Sequence, residues 1–454
     1  MTCLCLSPRW ALRVHNRRAY VERRQDRVRV AALSALEAVA LGLMNGRRTG
    51  DVIQELMFEI GGQAGNSAFE QLHKRLKPLL VPGSFVSKTE SLDQLASVEP
   101  PDPAEGLRPL PGPRALHWWV TDVCPRRCVY CFADPKPGNK AHDATLSRET
   151  LRRIFAESAS LGATDLLVAG GEPFLRDDLP EVLGDAINQG LNPGITTKFP
   201  LTATLAHRLA NAGLRHICLS IDSFSPDDNA LLIGSRNYAA HVLSSVENLV
   251  EAGLAFSFEC VVTRLNTHAL ESVIAKAEQL GAQVVQVVPY EPVLHLIGPY
   301  QNEFLMLPRE YPLDENIRRF SAKYPGVEIE KFEKLGDGCR GDFHCDIGMT
   351  KLLFTSRGKV HRCYKLLEDQ ELAGSDLNHV SVAEAWHDPG FTEVVRPPHV
   401  AYSDSPCITC TNFDNCHESG RCIYQSYVDH QTYYSTDRNC GRSYVLPTGT
   451  VNLS

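Results

Sequence analysis

The chain has 454 residues, 43% of them hydrophobic and 22% charged, with a formal net charge of −8. That balance suits a globular protein with a full core, and the length allows two to four domains. No run of 18 apolar residues occurs, and the opening MTCLCLSPRW holds too short an apolar stretch for a signal peptide, so neither a membrane span nor secretion is expected.

The first region, residues 1–82, reads as short strands followed by helices. The strands are WALRVHN, RAYVERR and VRVAAL. Helical periodicity begins with Ala35, Val39, Leu41 and Met44 and continues through two further stretches, punctuated by Gly46 and the Gly61-Gly62 pair. Three strands and three helices make a compact winged-helix-like α+β plan. The region carries 13 Lys and Arg against 7 Asp and Glu, a surplus of +6 that leaves −14 for the rest. That asymmetry points to an acidic partner for the first region. Residues 83–113 read as a linker: six of the seventeen residues at 97–113 are proline, which makes the segment stiff and extended.

Residues 114–310 alternate strand and helix. Strand-like runs are ALHWWVT, DLLVA, GITT, HICLSI, FSFECVV and QVVQVV. Helices are expected at 147–161, 178–188, 203–212, 238–252 and 267–280. Gly162, Gly190, Gly213, Gly253 and Gly281 stand where left-handed helix caps belong. Six such repeats predict an α/β fold with a parallel sheet and right-handed crossovers, its chemistry at the C-terminal strand ends. Residues 311–454 are loop-rich and hold eight of the fifteen cysteines. So many cysteines in a chain without a secretion signal point to metal chemistry in a reducing, cytoplasmic compartment.

Cys124, Cys128 and Cys131 follow the first apolar strand at a C-x3-C-x2-C spacing. Three thiolates in eight residues form a ligand set. A 4Fe–4S cluster takes four ligands, so three cysteines leave one iron open to bind a small molecule and pass it an electron. The alternative is a structural zinc knuckle, although zinc prefers four protein ligands in closed sites. The spacing resembles the signature of the radical S-adenosylmethionine (SAM) enzymes. The resemblance implies an open, partial (β/α)6 barrel, with SAM held on the unique iron and cleaved to a 5′-deoxyadenosyl radical. It further implies that Gly170, Gly171 and Glu172, in the GGEP run after the second strand, contact the SAM amino group. Tyr130 matches the aromatic position beside the adenine. Ser220 and Asp222 match positions near the ribose and carboxylate; their other reading is strand termination and helix capping. Relatives carry an Arg-Gly pair after this strand, whereas this chain has Ile233-Gly234, with Arg236 displaced. No catalytic acid or base is assigned.

In the tail, Cys339 and Cys345 are followed by Gly358 and Cys363, then Cys407, Cys410, Cys416, Cys422 and Cys440. The pattern resembles the SPASM domain of sulfatase maturases and peptide-modifying enzymes, which carries two auxiliary 4Fe–4S clusters. By position Cys339, Cys345, Cys363 and Cys422 would hold one, and Cys407, Cys410, Cys416 and Cys440 the other, for three clusters in all. The last spacing is C-x5-C where C-x3-C is usual, which leaves Cys422 less secure than the rest. Two zinc sites are the alternative. Tyr364 stands where sulfatase maturases place an aspartate base, and reads either as a redox or proton-transfer group or as a packing side chain. Cys218 and Cys260 lie in strands and read as buried small hydrophobes; Cys3 and Cys5 remain unassigned.

The first region resembles the peptide-binding chaperone of pyrroloquinoline-quinone biosynthesis and the recognition elements of RiPP (ribosomally made, post-translationally modified peptide) pathways. These bind a leader peptide as an added strand. A winged-helix DNA reader and a purely structural cap are the rivals. The region lacks the aromatic interleaving or lysine-rich helix that nucleic acid would call for. Together the resemblances imply a radical SAM maturase that oxidatively crosslinks a precursor peptide through a thioether or carbon–carbon bond, drawing electrons from a donor such as a flavodoxin or ferredoxin. The alternatives are a maturase of a folded protein, of sulfatase or dehydrogenase type, and an iron–sulfur DNA-binding regulator.

Overall fold

The structure is a computed structural model of the whole chain. It describes residues 3–6, 10–15, 18–23, 29–82, 95–98, 112–133, 135–140, 145–290, 311–331, 345, 347–411, 413, 421–436 and 440. The chain divides into two compact units, the first drawn from residues 1–112 and the second from the chain beyond them.

In the first unit, β2 (Trp10–His15), β3 (Arg18–Arg23) and β4 (Arg29–Leu33) form an antiparallel sheet in that order, as the sequence predicts. Helix α1 (Ala35–Leu43) starts at Ser34, whose side chain and that of Glu37 form a reciprocal capping box. The expected second and third helices lie within Gly50–Leu76 (α2) and are broken at Gly62, whose φ of +56° and ψ of −138° are not helical, so the Gly61-Gly62 pair separates them as the sequence predicts. A second small sheet, unforeseen in the sequence, pairs β1 (Cys3–Leu6) with β5 (Asn45–Thr49) and β6 (Leu80–Pro82). Leu95 and Val98, from the proline-rich segment, are buried and belong to this unit's hydrophobic core.

The second unit is built on one ten-stranded sheet. Strands β7 (Ala115–Trp119), β8 (Asp165–Ala169), β9 (Asn192–Thr197), β10 (His216–Ser220), β11 (Ala255–Val262) and β12 (Val284–Pro289) lie side by side in chain order, all parallel. They match the six apolar runs. The connecting helices are α3 (Arg148–Ser160), α4 (Leu179–Asn188), α5 (Ala203–Asn211), the pair α6 (Pro226–Ile233) and α7 (Tyr238–Glu251), and α8 (Leu270–Leu280). All five cap glycines adopt positive φ, from +73° to +99°. The alternation continues past residue 310 with α9 (Leu313–Lys323) and β13 (Glu328–Lys331), which pairs parallel to β12.

The tail is more regular than its loop-rich sequence suggests. Its strand β14 (Lys351–Phe354) pairs parallel to β7, and β15 (Lys359–His361) and β16 (Ala373–Asp376) extend the sheet antiparallel. Four consecutive apolar or long side chains are too few to show a period, so this strand is visible only through its partner. Arg114 and Leu146 donate backbone hydrogen bonds to Thr350 and Ser356, and Glu157 on α3 accepts one from the Val382 amide at 2.8 Å. Trp118 marks the join. It is fully buried, stacks 6.5 Å from Phe354 and meets Phe155 edge-on at 6.3 Å. Trp118→Ala is expected to destabilise this unit by about 3–5 kcal/mol, read as a lowered urea midpoint by circular dichroism; an unchanged midpoint would contradict this packing. Among the described residues no helix is long and apolar enough to cross a membrane.

Candidate active site and the tail cysteines

The loop of Cys124, Cys128 and Cys131 leaves the C-terminal end of β7, and three ties hold it. At its base Lys136 donates its amide to the Asp122 carbonyl (2.7 Å) and its ammonium to the Asp122 carboxylate (2.9 Å). The Val129 amide bonds the Leu232 carbonyl at the end of α6 (2.9 Å). The Tyr130 hydroxyl donates to Asp222. The Arg126 amide lies 3.4 Å from the Cys124 sulfur, a donor suited to a thiolate.

Gly170 and Gly171 stack the next loop onto this one. The Gly171 amide reaches the Thr121 carbonyl at 2.6 Å and the Glu172 amide the Val123 carbonyl at 2.9 Å. Gly170 has φ +141°, and a Cβ there would lie 2.6 Å from the Thr121 carbonyl oxygen; at Gly171 it would strike Val123. Only glycine permits so close an approach. Glu172 is buried and accepts from Thr197 Oγ1 (2.7 Å) and the amides of Phe174 and Lys198 (3.2 Å each). Its carboxylate thus ties the second strand's loop to the end of the third, with lone-pair capacity left for one more donor. Burial pushes its pKa up, against these hydrogen bonds.

Tyr130, Ser220 and Asp222 converge on Lys198, which no motif in the sequence singles out. Lys198, just past β9, donates to the Ser220 hydroxyl, lies 3.6 Å from the Asp222 carboxylate and sits 5.6 Å over the Tyr130 ring. Burial works against its ammonium, but Asp222 and its neighbours outweigh this and hold its pKa above the usual lysine value. Asp222 is fully buried and also accepts from the Val261 amide at 2.9 Å. Asp222 thus lies just past the end of β10 and anchors a charged cluster there. Tyr130 is raised well above 10 by burial and then by Asp222. Tyr238 bonds the Ser220 carbonyl and carries the Arg126 guanidinium 5.1 Å over its ring. Gly234 caps α6 in the left-handed conformation, while Arg236 is exposed and paired with Asp227 at 2.6 Å. The position of Lys198, at a C-terminal strand end, was the one signal that could have found it.

In the tail, the buried guanidinium of Arg362 donates through Nη1 to the Cys345 sulfur at 2.9 Å and interacts electrostatically with Cys345, Cys363 and Cys422. Cys422, the least secure by spacing, is among them. Cys407 and Cys410 share a turn, the Cys410 amide bonding the Cys407 carbonyl at 3.1 Å, and Cys440 is half-buried. Cys339 and Cys416 lie outside the described residues. Cys218 and Cys260 are buried in strands, as expected of small hydrophobes. Tyr364 joins a cluster of rings: Phe132, next to Cys131, is 5.3 Å from it, His117 5.4 Å and Trp119 6.4 Å. Aromatic contacts thus run from the residue after Cys131 to the residue after Cys363.

Burial pushes the thiols of Cys124 and Cys363 up to about 11 and those of Cys128 and Cys422 up to about 12. Bare, they stay neutral; a cationic centre must displace their protons to bind. Among the described residues no three His, Cys, Asp or Glu side chains converge tightly enough to share one metal ion. The donor chemistry, three sulfurs from one loop with a backbone amide facing one of them, fits an iron–sulfur cluster with an open iron.

A parallel α/β sheet with such a cysteine loop after its first strand defines a radical SAM enzyme. Residues 119–277 match the Radical SAM superfamily, and the chain is a SAM-dependent oxidoreductase of that kind, its cysteine groups consistent with iron–sulfur cofactors. It is related to the PqqA peptide cyclases. It is 26% identical over 345 residues to that of Methylobacterium sp. (strain 4-46), covering 74% of this chain and 87% of the relative. To that of Rhizobium meliloti (strain 1021) it is 28% identical over 298 residues, covering 63% and 77%. In fold it is similar to Streptococcus suis SuiB bound to S-adenosylmethionine (TM-score 0.56, 15% identity, 96% of this chain and 99% of that one). It is also similar to anSMEcpe with bound AdoMet (TM-score 0.53, 16% identity, 72% and 90%).

Gly171→Ala is expected to force the two loops apart at a cost of about 1–3 kcal/mol and to abolish SAM cleavage. Release of 5′-deoxyadenosine at the parental rate would contradict this account of the glycines.

Proposed function

We propose that this chain is a radical SAM maturase that oxidises a ribosomally made precursor peptide by two electrons, closing a thioether or carbon–carbon crosslink. One observation carries the reading. The strand that delivers Cys124, Cys128 and Cys131 is hydrogen-bonded to a tail strand followed closely by Cys363, and the Phe132 and Tyr364 rings touch between the two cysteine loops. A site for radical formation and a site for a second redox group thus share one sheet. The relationship to enzymes named PqqA peptide cyclase supports a peptide substrate, and a structure of SuiB holds its precursor peptide SuiA.

The six parallel strands and their helices are read as an open, partial (β/α)6 barrel. Cys124, Cys128 and Cys131 would hold a 4Fe–4S cluster, which when bound would supply the one-electron chemistry for SAM cleavage. Gly170 and Gly171 would let backbone carbonyls approach the SAM amino group, and Glu172 would offer it its remaining lone pairs. Lys198, with Ser220 and Asp222, would set a buried positive charge toward the SAM carboxylate. Tyr130 would pack beside the adenine. After a hydrogen atom leaves the peptide, an oxidised product needs an electron acceptor. The tail cysteines, in the sets 339/345/363/422 and 407/410/416/440, are where this chain provides one. The basic first unit, with its antiparallel sheet, is read as the leader-binding element, and a flavodoxin or ferredoxin as the electron source.

Anaerobically reconstituted protein is expected to carry about twelve irons, at four per cluster. Replacing Cys124, Cys128 and Cys131 with alanine should remove about four of them and all SAM cleavage. Retained cleavage would refute the site. The first unit should bind a leader peptide without SAM, and added salt should weaken that binding, since exposed charges are screened over about 8 Å at physiological ionic strength. Because Leu95 and Val98 pack in its core, the test deletion is cut at residue 112. It should raise the apparent Michaelis constant for peptide and spare SAM cleavage; equal turnover with and without the unit would remove its role. The reaction itself is decided by intact mass. A cognate peptide should lose about 2 Da, one 5′-deoxyadenosine forming per crosslink, because two hydrogens leave and no heavy atom does. An unchanged mass with deuterium uptake would indicate epimerisation instead.

A further inference from the structure

Arg362 poses an electrostatic problem that the fold alone does not solve. Its side chain is 2% exposed, and its guanidinium stays charged at any working pH. A buried charge is costly unless it is paired. Among the described residues no carboxylate forms an ion pair with it. Its charge interacts with Cys345, Cys363 and Cys422, its Nη1 donates to the Cys345 sulfur at 2.9 Å, and its Nε has no hydrogen-bond partner among the described residues. Ligand sulfurs of a cluster of net negative charge would offset that charge. The second buried arginine of the tail, Arg421, is solved differently. It bonds the carbonyls of Tyr433 (2.7 Å) and Ser435, lies 4.8 Å over the Tyr402 ring, and only approaches a sulfur, that of Cys407, at 4.0 Å.

We propose that Arg362 sets the reduction potential of the auxiliary cluster bound by Cys345, Cys363 and Cys422, its buried guanidinium donating a hydrogen bond to the Cys345 sulfur. Reduction adds one electron to the cluster and no proton to the arginine, which is already charged. A fixed positive charge beside the ligand sulfur stabilises the reduced, more negative state, and hydrogen bonds to cluster sulfurs act in the same direction. The consequence is that Arg362 makes this cluster more readily reduced than it would be without the charge, which suits it to take up the electron when the peptide is oxidised. Arg362 is a positioning residue, acting through Cys345 and not on the peptide. The inference rests on the reading that the tail cysteines bind iron.

The test uses full-length, anaerobically reconstituted protein with Cys124, Cys128 and Cys131 replaced by alanine, so that only the tail contributes signals. Dithionite-driven redox titrations followed by electron paramagnetic resonance are compared among the Arg362 parent, R362K and R362M, with iron counted in each. Expected is one auxiliary signal whose midpoint moves to lower potential in R362M and less far in R362K, the other signal staying in place. Where R362M fails to hold iron, R362K and R362Q carry the measurement, and the same downward order is expected. Iron retained with identical midpoints in all proteins overturns this inference and leaves the cluster reading intact. Zinc in place of iron in the Arg362 parent overturns the cluster reading and this inference with it.

Discussion

Strand β7 is paired on both edges, and the rest of the second unit follows from that. Its parallel register with β8 on one side and β14 on the other fixes the strand in translation and in facing. The two-residue alternation of a strand then sorts its side chains. Leu116, Trp118 and Val120 join the main hydrophobic core, while His117 and Trp119 contact Tyr364 among the site's rings. A slip of one residue would exchange those faces, sending Trp118 into the site and Trp119 into the core. The cysteine loop inherits its position from a strand that has no freedom to shift.

Around that loop the packing is polar and buried, an arrangement that costs energy unless every member is paired. Lys198, Asp222, Tyr130 and Ser220 satisfy one another, and Glu172 is met by three donors from two segments. Apart from the local Phe174 amide to Glu172 bond, each contact joins the ends of different strands. The buried charges beside the cysteine loop therefore also hold the strand ends together.

Much of this was legible in the sequence because it rests on local rules. Apolar runs of the right length marked the six strands from β7 to β12, and glycine marked the caps at 162, 190, 213, 253 and 281, where a left-handed residue is required. Three cysteines at close spacing marked the loop, and SAM and iron entered through its resemblance to a known family. What escaped was long-range or solitary. The helix α6 is short and stands directly before another, although Ser225 as its cap and Pro226 at its first position were readable signals. Strand β14 shows its character only against β7. Lys198 and Arg362 are single basic residues in a chain with 46 Lys and Arg; only the fold reveals that these two are buried against anionic or sulfur groups.

The pairing of β7 with β14 also bears on how such a protein is made and remodelled. Synthesis delivers β7 early and β14 far later, so one edge of the first strand stays open while most of the sheet is already in place. Open edges invite pairing with other chains, and distant partners fold slowly. Early loading of metal into the first cysteine loop would thus take place on an unfinished sheet. The same pairing limits domain exchange. A different tail can be grafted after the sixth parallel strand only if it brings a strand able to occupy the open edge of β7 in the same register. Diversification of the tail's chemistry is therefore confined to the segments that follow that strand, while the strand itself travels with the parallel sheet.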